Sequence, residues 1–228
     1  MFVTKKMPTS LSAEAYRSLR TNIKFSSVDK PIKTLVVTSS IMGEGKSTVS
    51  GNLANILSQD GARVLIIDCD LRKPSMHYKF HVSNGEGLTD VLIGNSDLKS
   101  VLRKIEESLF LITAGTIPPN PAEILGSKEM EDLIKELSIN FDYIILDTPP
   151  ILPVSDTLLL ASKADATLIV VNARKTKEKM VKESYDRLVE VKANVIGTIL
   201  NESDKSLDNK YCGYYQEGKN KKGKNFKK

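Results

Sequence analysis

The stretch from Lys33 to Leu57, KTLVVTSSIMGEGKSTVSGNLANIL, constrains the chain more than any other. Leu35-Val36-Val37-Thr38-Ser39 is a β-branched run of the kind that forms a buried parallel strand. From Lys46 onward, Val49, Leu53, Ala54, Ile56 and Leu57 recur at helical spacing. Between the two lies Gly43-Glu44-Gly45-Lys46-Ser47-Thr48. A glycine-rich turn from strand into helix aims several backbone N–H groups, and the positive end of the helix dipole, at one point: a phosphate site. There Lys46 reaches β- and γ-phosphates, and the Ser47 hydroxyl ligates Mg²⁺. Ser40 stands where the usual G-x-x-x-x-G-K-[ST] pattern opens with glycine.

The rest of the chain repeats the strand–helix alternation. Strands are expected at 62–67, 109–113, 143–146, 166–172 and 195–200, and helices at 12–25, 87–94, 96–105, 122–137, 155–161 and 176–191. The first helix should be capped by Ser12 and should bury a stripe of Ala15, Leu19 and Ile23. Residues 26–31 read as a linker and 75–87 as irregular surface. This pattern predicts an α/β fold, a mostly parallel sheet with helices on both faces, and a ligand at the carboxyl ends of the strands. Asp68, Asp70 and Asp147 all fall there. Buried strands ending in aspartate are expensive without a compensating cation, and nucleotide-bound Mg²⁺ supplies one. Ser47, Asp70 and Asp147 are therefore the candidate metal residues.

Charge and cysteine content narrow the class. The net charge of +5 resides wholly in residues 208–228, which carry seven lysines and two acidic residues. The remainder is neutral, so a nucleic-acid-binding body is not expected. Cys69 and Cys212 lie in unrelated contexts, which suits a reducing compartment better than a disulfide framework. No apolar run approaches the roughly 20 residues of a membrane span, and no signal peptide is expected, so the reading is cytoplasmic.

Several motifs agree on one family. Leu65-Ile66-Ile67-Asp68-Cys69-Asp70-Leu71-Arg72-Lys73-Pro74, Pro118-Pro119-Asn120-Pro121-Ala122-Glu123-Ile124-Leu125 and Asp147-Thr148-Pro149-Pro150 resemble the bacterial tyrosine kinases of capsular and exopolysaccharide biosynthesis. Glu14-Ala15-Tyr16-Arg17-Ser18-Leu19-Arg20 is similar to that family's E-x-x-R-x-x-R subunit-contact motif. The resemblance, which spans residues 8–201, implies a phosphate-loop kinase that uses ATP and Mg²⁺ and phosphorylates protein tyrosines, including its own C-terminal ones. It also implies ring-like homo-oligomers and recruitment to the inner face of the plasma membrane by a membrane-spanning polysaccharide co-polymerase that activates it.

Carried onto this chain, the resemblance puts Gly43, Glu44, Gly45, Lys46, Ser47 and Thr48 at the nucleotide, with Asn201 near the base. Asp68 is assigned to accept the tyrosine hydroxyl proton, with Asp70 and Asp147 as alternatives for geometry to decide. Arg72 is open to two roles, steadying phosphate charge or forming a structural ion pair. Glu14, Arg17 and Arg20 would contact the next subunit. Tyr211, Tyr214 and Tyr215 are the phosphoacceptors, a smaller cluster than the family commonly carries. The expected organisation is an oligomerisation helix and linker at 1–31, a kinase domain at 32–203 and a basic tyrosine-containing tail at 204–228. A competing reading is a non-kinase ATPase switch of the division-site or chromosome-partitioning type. Such proteins carry an extra lysine early in the loop, where this chain has Ile41.

Overall fold

A computed structural model of the protein describes residues 2–26 and 31–203. Two N-terminal helices, α1 (Val3–Lys6) and α2 (Leu11–Ser26), precede β1 (Thr34–Ser39) and α3 (Lys46–Gln59). Then follow β2 (Val64–Asp68), α4 (Met76–Phe80), α5 (Leu88–Leu92), α6 (Leu98–Val101), β3 (Arg103–Lys104) and β4 (Leu109–Ile112). The remainder is α7 (Pro121–Gly126), α8 (Lys128–Asn140), β5 (Tyr143–Asp147), α9 (Asp156–Ala161), β6 (Ala166–Asn172), α10 (Glu178–Glu190) and β7 (Val195–Asn201).

The strands form one sheet in the order β3-β4-β2-β5-β1-β6-β7, parallel throughout except for the β3–β4 pair. Successive residues serve opposite faces. Leu35 and Val37 of β1 pack with Ile23 of α2 and Val49, Leu53 and Leu57 of α3. Val36, between them, packs on the other face with Leu125, Met130, Leu133, Leu160 and Leu188 of the later helices. Covering both faces explains why the central strands are continuous apolar runs. The expected doubly covered parallel sheet is what forms.

Local departures have physical causes. The cap of α2 is Ser10, whose Oγ accepts the Ala13 N–H at 3.2 Å, so the helix starts one residue earlier than expected. Its buried positions are Ala13 and Ile23, with Tyr16 and Leu19 partly buried, whereas Ala15 is exposed. The helical stretch expected at 122–137 is two helices, because Ser127 leaves helical geometry and caps α8 by accepting the Met130 N–H. The stretch 75–87 is not wholly irregular: Asp68 accepts the backbone N–H groups of Ser75 and Met76, both at 2.9 Å, and so holds the start of α4. The helix expected at 96–105 stops at Val101 and continues as β3, paired antiparallel with β4.

The N-terminal segment packs on α3. Thr4 is buried, with its hydroxyl on Asn52 and Asn55, and the Phe2 and Phe80 rings stand 4.8 Å apart. No helix among the described residues is long and apolar enough to cross a membrane.

Candidate nucleotide site

β1 lies inside the sheet between β5 and β6, and its carboxyl end opens into the loop of residues 40–45. Gly43 and Gly45 adopt φ of 81° and 93°, a region that L side chains rarely enter. At Gly45 a Cβ would also come within 2.1 Å of Asn201 Nδ2, so glycine is required twice over. That Asn201 amide donates to the Glu44 carbonyl at 2.9 Å, bringing the end of β7 onto the loop.

Glu44 has its side chain turned inward. Its carboxylate accepts Ile41 N–H at 2.7 Å, Asn172 N–H at 3.1 Å and the Thr176 hydroxyl, and the residue is 1% exposed. It braces the loop against the end of β6, and only its backbone can face a phosphate.

Lys46 is the hub. Its ammonium lies 2.9 Å from Asp70 Oδ2 and 3.8 Å from Asp147 Oδ2. Burial works against its charge, but the carboxylates of Asp147, Asp70 and Asp68 outweigh it and hold the pKa above the ordinary lysine value. Asp68 and Asp147 are register partners on adjacent parallel strands. Burial, helped by the Asp147 charge, pushes Asp68 up to about 7. Burial also raises Asp147, against the pull of Lys46.

The three aspartates have different surroundings. Both Asp68 oxygens accept backbone N–H groups, from Asp70 on one side and from Ser75 and Met76 on the other. Asp147 Oδ1 accepts the Ser50 hydroxyl at 3.0 Å, while its buried Oδ2 has no hydrogen-bond partner among the described residues. Asp70, steadied by the Lys73 N–H at 3.0 Å, is the one that lines the open pocket.

That pocket holds about 530 Å³, within the range of small-molecule sites. Gly43, Gly45, Lys46, Ser47 and Thr48 form its floor, and Pro149, Pro150, Pro153 and Val154 form an apolar wall. The structure thus brings Lys46, Ser47, Thr48, Asp70 and Asp147 together and sets Asp68 and the Glu44 carboxylate behind them. Arg72 makes a two-pronged ion pair with buried Asp156, at 2.8 and 3.0 Å, which realises the second of its two possible roles. Ser50 and Lys79 escaped the sequence reading. Ser50, one turn after Lys46 on α3, was within reach of helical spacing; Lys79 was not, because α4 itself was unforeseen.

Glu14, Arg17 and Arg20 lie on α2, away from the pocket. Arg17 pairs with Glu14 at 2.7 Å and donates to the Pro8 carbonyl, and Arg20 reaches Asp60 at 3.2 Å. Tyr211, Cys212, Tyr214 and Tyr215 lie outside the described residues.

A phosphate loop at the carboxyl end of β1, inside the sheet, with aspartates ending both β2 and β5, defines a phosphate-loop NTPase domain. Residues 32–201 match the family described as an AAA domain. The tyrosine-protein kinase YwqD of Bacillus subtilis (strain 168) is 43% identical over 209 residues, covering 91% of this chain and 88% of the relative. Among solved structures, the chimerical protein CapA2B2 superposes with a TM-score of 0.86 at 34% identity, covering 89% of each chain. The kinase domain of the Escherichia coli tyrosine kinase ETK gives 0.85, also at 34%, covering 88% of this chain and 79% of that one. The chain belongs to the bacterial tyrosine-protein kinase family, and the partitioning-type ATPase reading is not favoured.

Proposed function

We propose that this protein transfers the γ-phosphoryl group of ATP to protein tyrosines, among them Tyr211, Tyr214 and Tyr215 of its own tail. The observation that carries the reading is Lys46, held by Asp70 at the mouth of a pocket with buried Asp147 Oδ2 3.8 Å from its ammonium. That oxygen accepts no hydrogen bond among the described residues, which fits Mg²⁺; the ion would draw on Ser47, Asp147 and Asp70. No group of three or more His, Cys, Asp or Glu among the described residues could hold a metal alone. Magnesium is commonly held by one or two carboxylates together with nucleotide phosphates. When bound, it neutralises charge on the β- and γ-phosphates.

The chain's own residues do the rest. Loop N–H groups and Lys46 hold the phosphates, and the proline wall gives the acceptor ring an apolar surface. The tyrosine oxygen bonds to the γ-phosphorus as the bond from that phosphorus to the β–γ bridging oxygen breaks. ADP leaves with the bridging electrons. Tyrosine has a reference pKa near 10, so its hydroxyl proton needs an acceptor at neutral pH. Asp70 is the aspartate that lines the pocket, so we assign it this role ahead of Asp68, which is fully buried behind it.

The wider organisation follows the family resemblance. Residues 1–31 supply subunit contacts, residues 32–203 catalysis and residues 204–228 the phosphoacceptors. A membrane-spanning co-polymerase would recruit the kinase to the inner face of the plasma membrane for polysaccharide synthesis or export. The basic test incubates the purified chain with Mg·ATP and reads phosphotyrosine. Wild type should label itself, and Lys46→Met should not, while remaining folded at the assay temperature with a lowered melting temperature, because Asp70 and Asp147 lose their cation. Wild-type labelling in Lys46→Met would refute the assignment.

A further inference from the structure

Four cations line the pocket: Lys46, Arg72, Lys73 and Lys79. Lys46 is matched by Asp70, and Arg72 by Asp156. Lys73 is exposed, with its ammonium 3.8 Å from the Met42 sulfur. Lys79 differs from all three. It is half-buried on α4, its ammonium donates to Thr48 Oγ1 at 2.9 Å, and no carboxylate oxygen among the described residues lies within 4.0 Å of it. A partly desolvated ammonium with a hydroxyl for company forms no ion pair among the described residues, and only the more distant Asp147 charge favours it.

Thr48 locates the missing anion. It lies in the first turn of α3, where helix N–H groups converge on phosphate. It also lines a second groove, shared with Thr198, Ile199, Leu200 and Asn201 at the end of β7. Thr48 therefore borders both the phosphate pocket and the groove at the end of β7, whereas Lys46 is engaged with Asp70 and Asp147.

We propose that Lys79 is a second phosphate-binding lysine, gripping from α4 the phosphates the nucleotide keeps after transfer, while Lys46 serves the transferred one. The inference rests on the nucleotide-binding reading above. It adds a charge contact common to ATP and ADP, so Lys79 governs how tightly the product is held. A charge-assisted hydrogen bond to phosphate of this kind corresponds to about a tenfold change in affinity.

The test is calorimetric titration of the full chain, in Mg²⁺, with ADP and with a non-hydrolysable ATP analogue. Lys79→Gln keeps a donor for Thr48 but removes the charge; Lys79→Arg keeps the charge. Lys79→Gln should weaken both nucleotides about tenfold with an unchanged melting temperature, and Lys79→Arg should stay near wild type. Wild-type affinity in Lys79→Gln would mean that the lysine merely tethers Thr48, overturning the proposal. Loss for the ATP analogue alone would put Lys79 on the transferred phosphate and overturn it equally. Absence of binding by the wild-type chain would remove the nucleotide reading itself, so the two failures are told apart.

Discussion

Asp68 and Asp70 are two residues apart and in opposite circumstances. Asp68 ends β2 on the sheet, is fully buried and spends both oxygens on backbone N–H groups. Asp70 lies past the strand end and faces the pocket. The buried group has a consequence for stability. Its pKa, raised to about 7 by burial and by Asp147, lies above the value near 3.9 expected in the unfolded chain. The folded state therefore binds the proton more tightly, and the contribution favourable to folding is complete below about pH 4 and lost as pH rises to about 7. Without nucleotide, this site should make the melting temperature fall between pH 5 and pH 7.5. The fall should be smaller in Asp147→Asn, which removes the neighbouring charge and a second carboxylate whose pKa burial raises. An identical pH slope in both proteins would show that the pair does not titrate in this way.

Helix α2 is held to the body by one face and leaves its charges on the other. Ile23 is buried against the sheet and Ala13 is fully covered, while Glu14 is exposed and Arg17 and Arg20 are half-exposed. Asp60, after α3, takes Arg20 and Lys24 together and ties the helix end down. Exposed ion pairs are worth little each, so Glu14, Arg17 and Arg20 can be exchanged for contacts with another subunit at small cost. Replacing all three with alanine should shift the sedimentation profile from oligomer toward monomer and leave the monomer folded, because no core side chain is touched. An oligomer with an unaltered profile would exclude these residues from the interface.

For the molecule as a whole, we propose that transfer runs between subunits of a ring-like oligomer, as the family resemblance implies. Asn201 is fixed against the phosphate loop, and only about ten residues separate it from Tyr211, a reach of at most roughly 3.3–3.6 Å each. That length permits a reversal into its own pocket, at whose rim Glu202 lies, or a reach to a neighbour in the proposed ring. Mixing Lys46→Met chains with active chains whose three tail tyrosines are phenylalanine should place phosphotyrosine on the Lys46→Met chains. If those chains stay unlabelled while wild type labels itself, transfer is intramolecular. Each phosphate would add about −1.5 to −2 charges to a basic tail, which gives labelling a route to loosening the ring.

The sequence alone determined the phosphate loop, the six strands of the parallel sheet, and three aspartates at or just past strand ends. These rest on periodicity and turn chemistry acting over a few residues, such as the β-branched run before Gly43 and the helical spacing after Lys46. Tertiary structure decided which aspartate meets the pocket. The chain after β2 turns back so that the Ser75 and Met76 N–H groups reach Asp68, and no local pattern encodes that return. It likewise turned the Glu44 carboxylate inward, because partners 128 and 132 residues away, Asn172 and Thr176, arrive only once β6 lies beside β1. Donors that periodicity does not encode assigned these carboxylates their roles, a returning loop for Asp68 and the far end of β6 for Glu44.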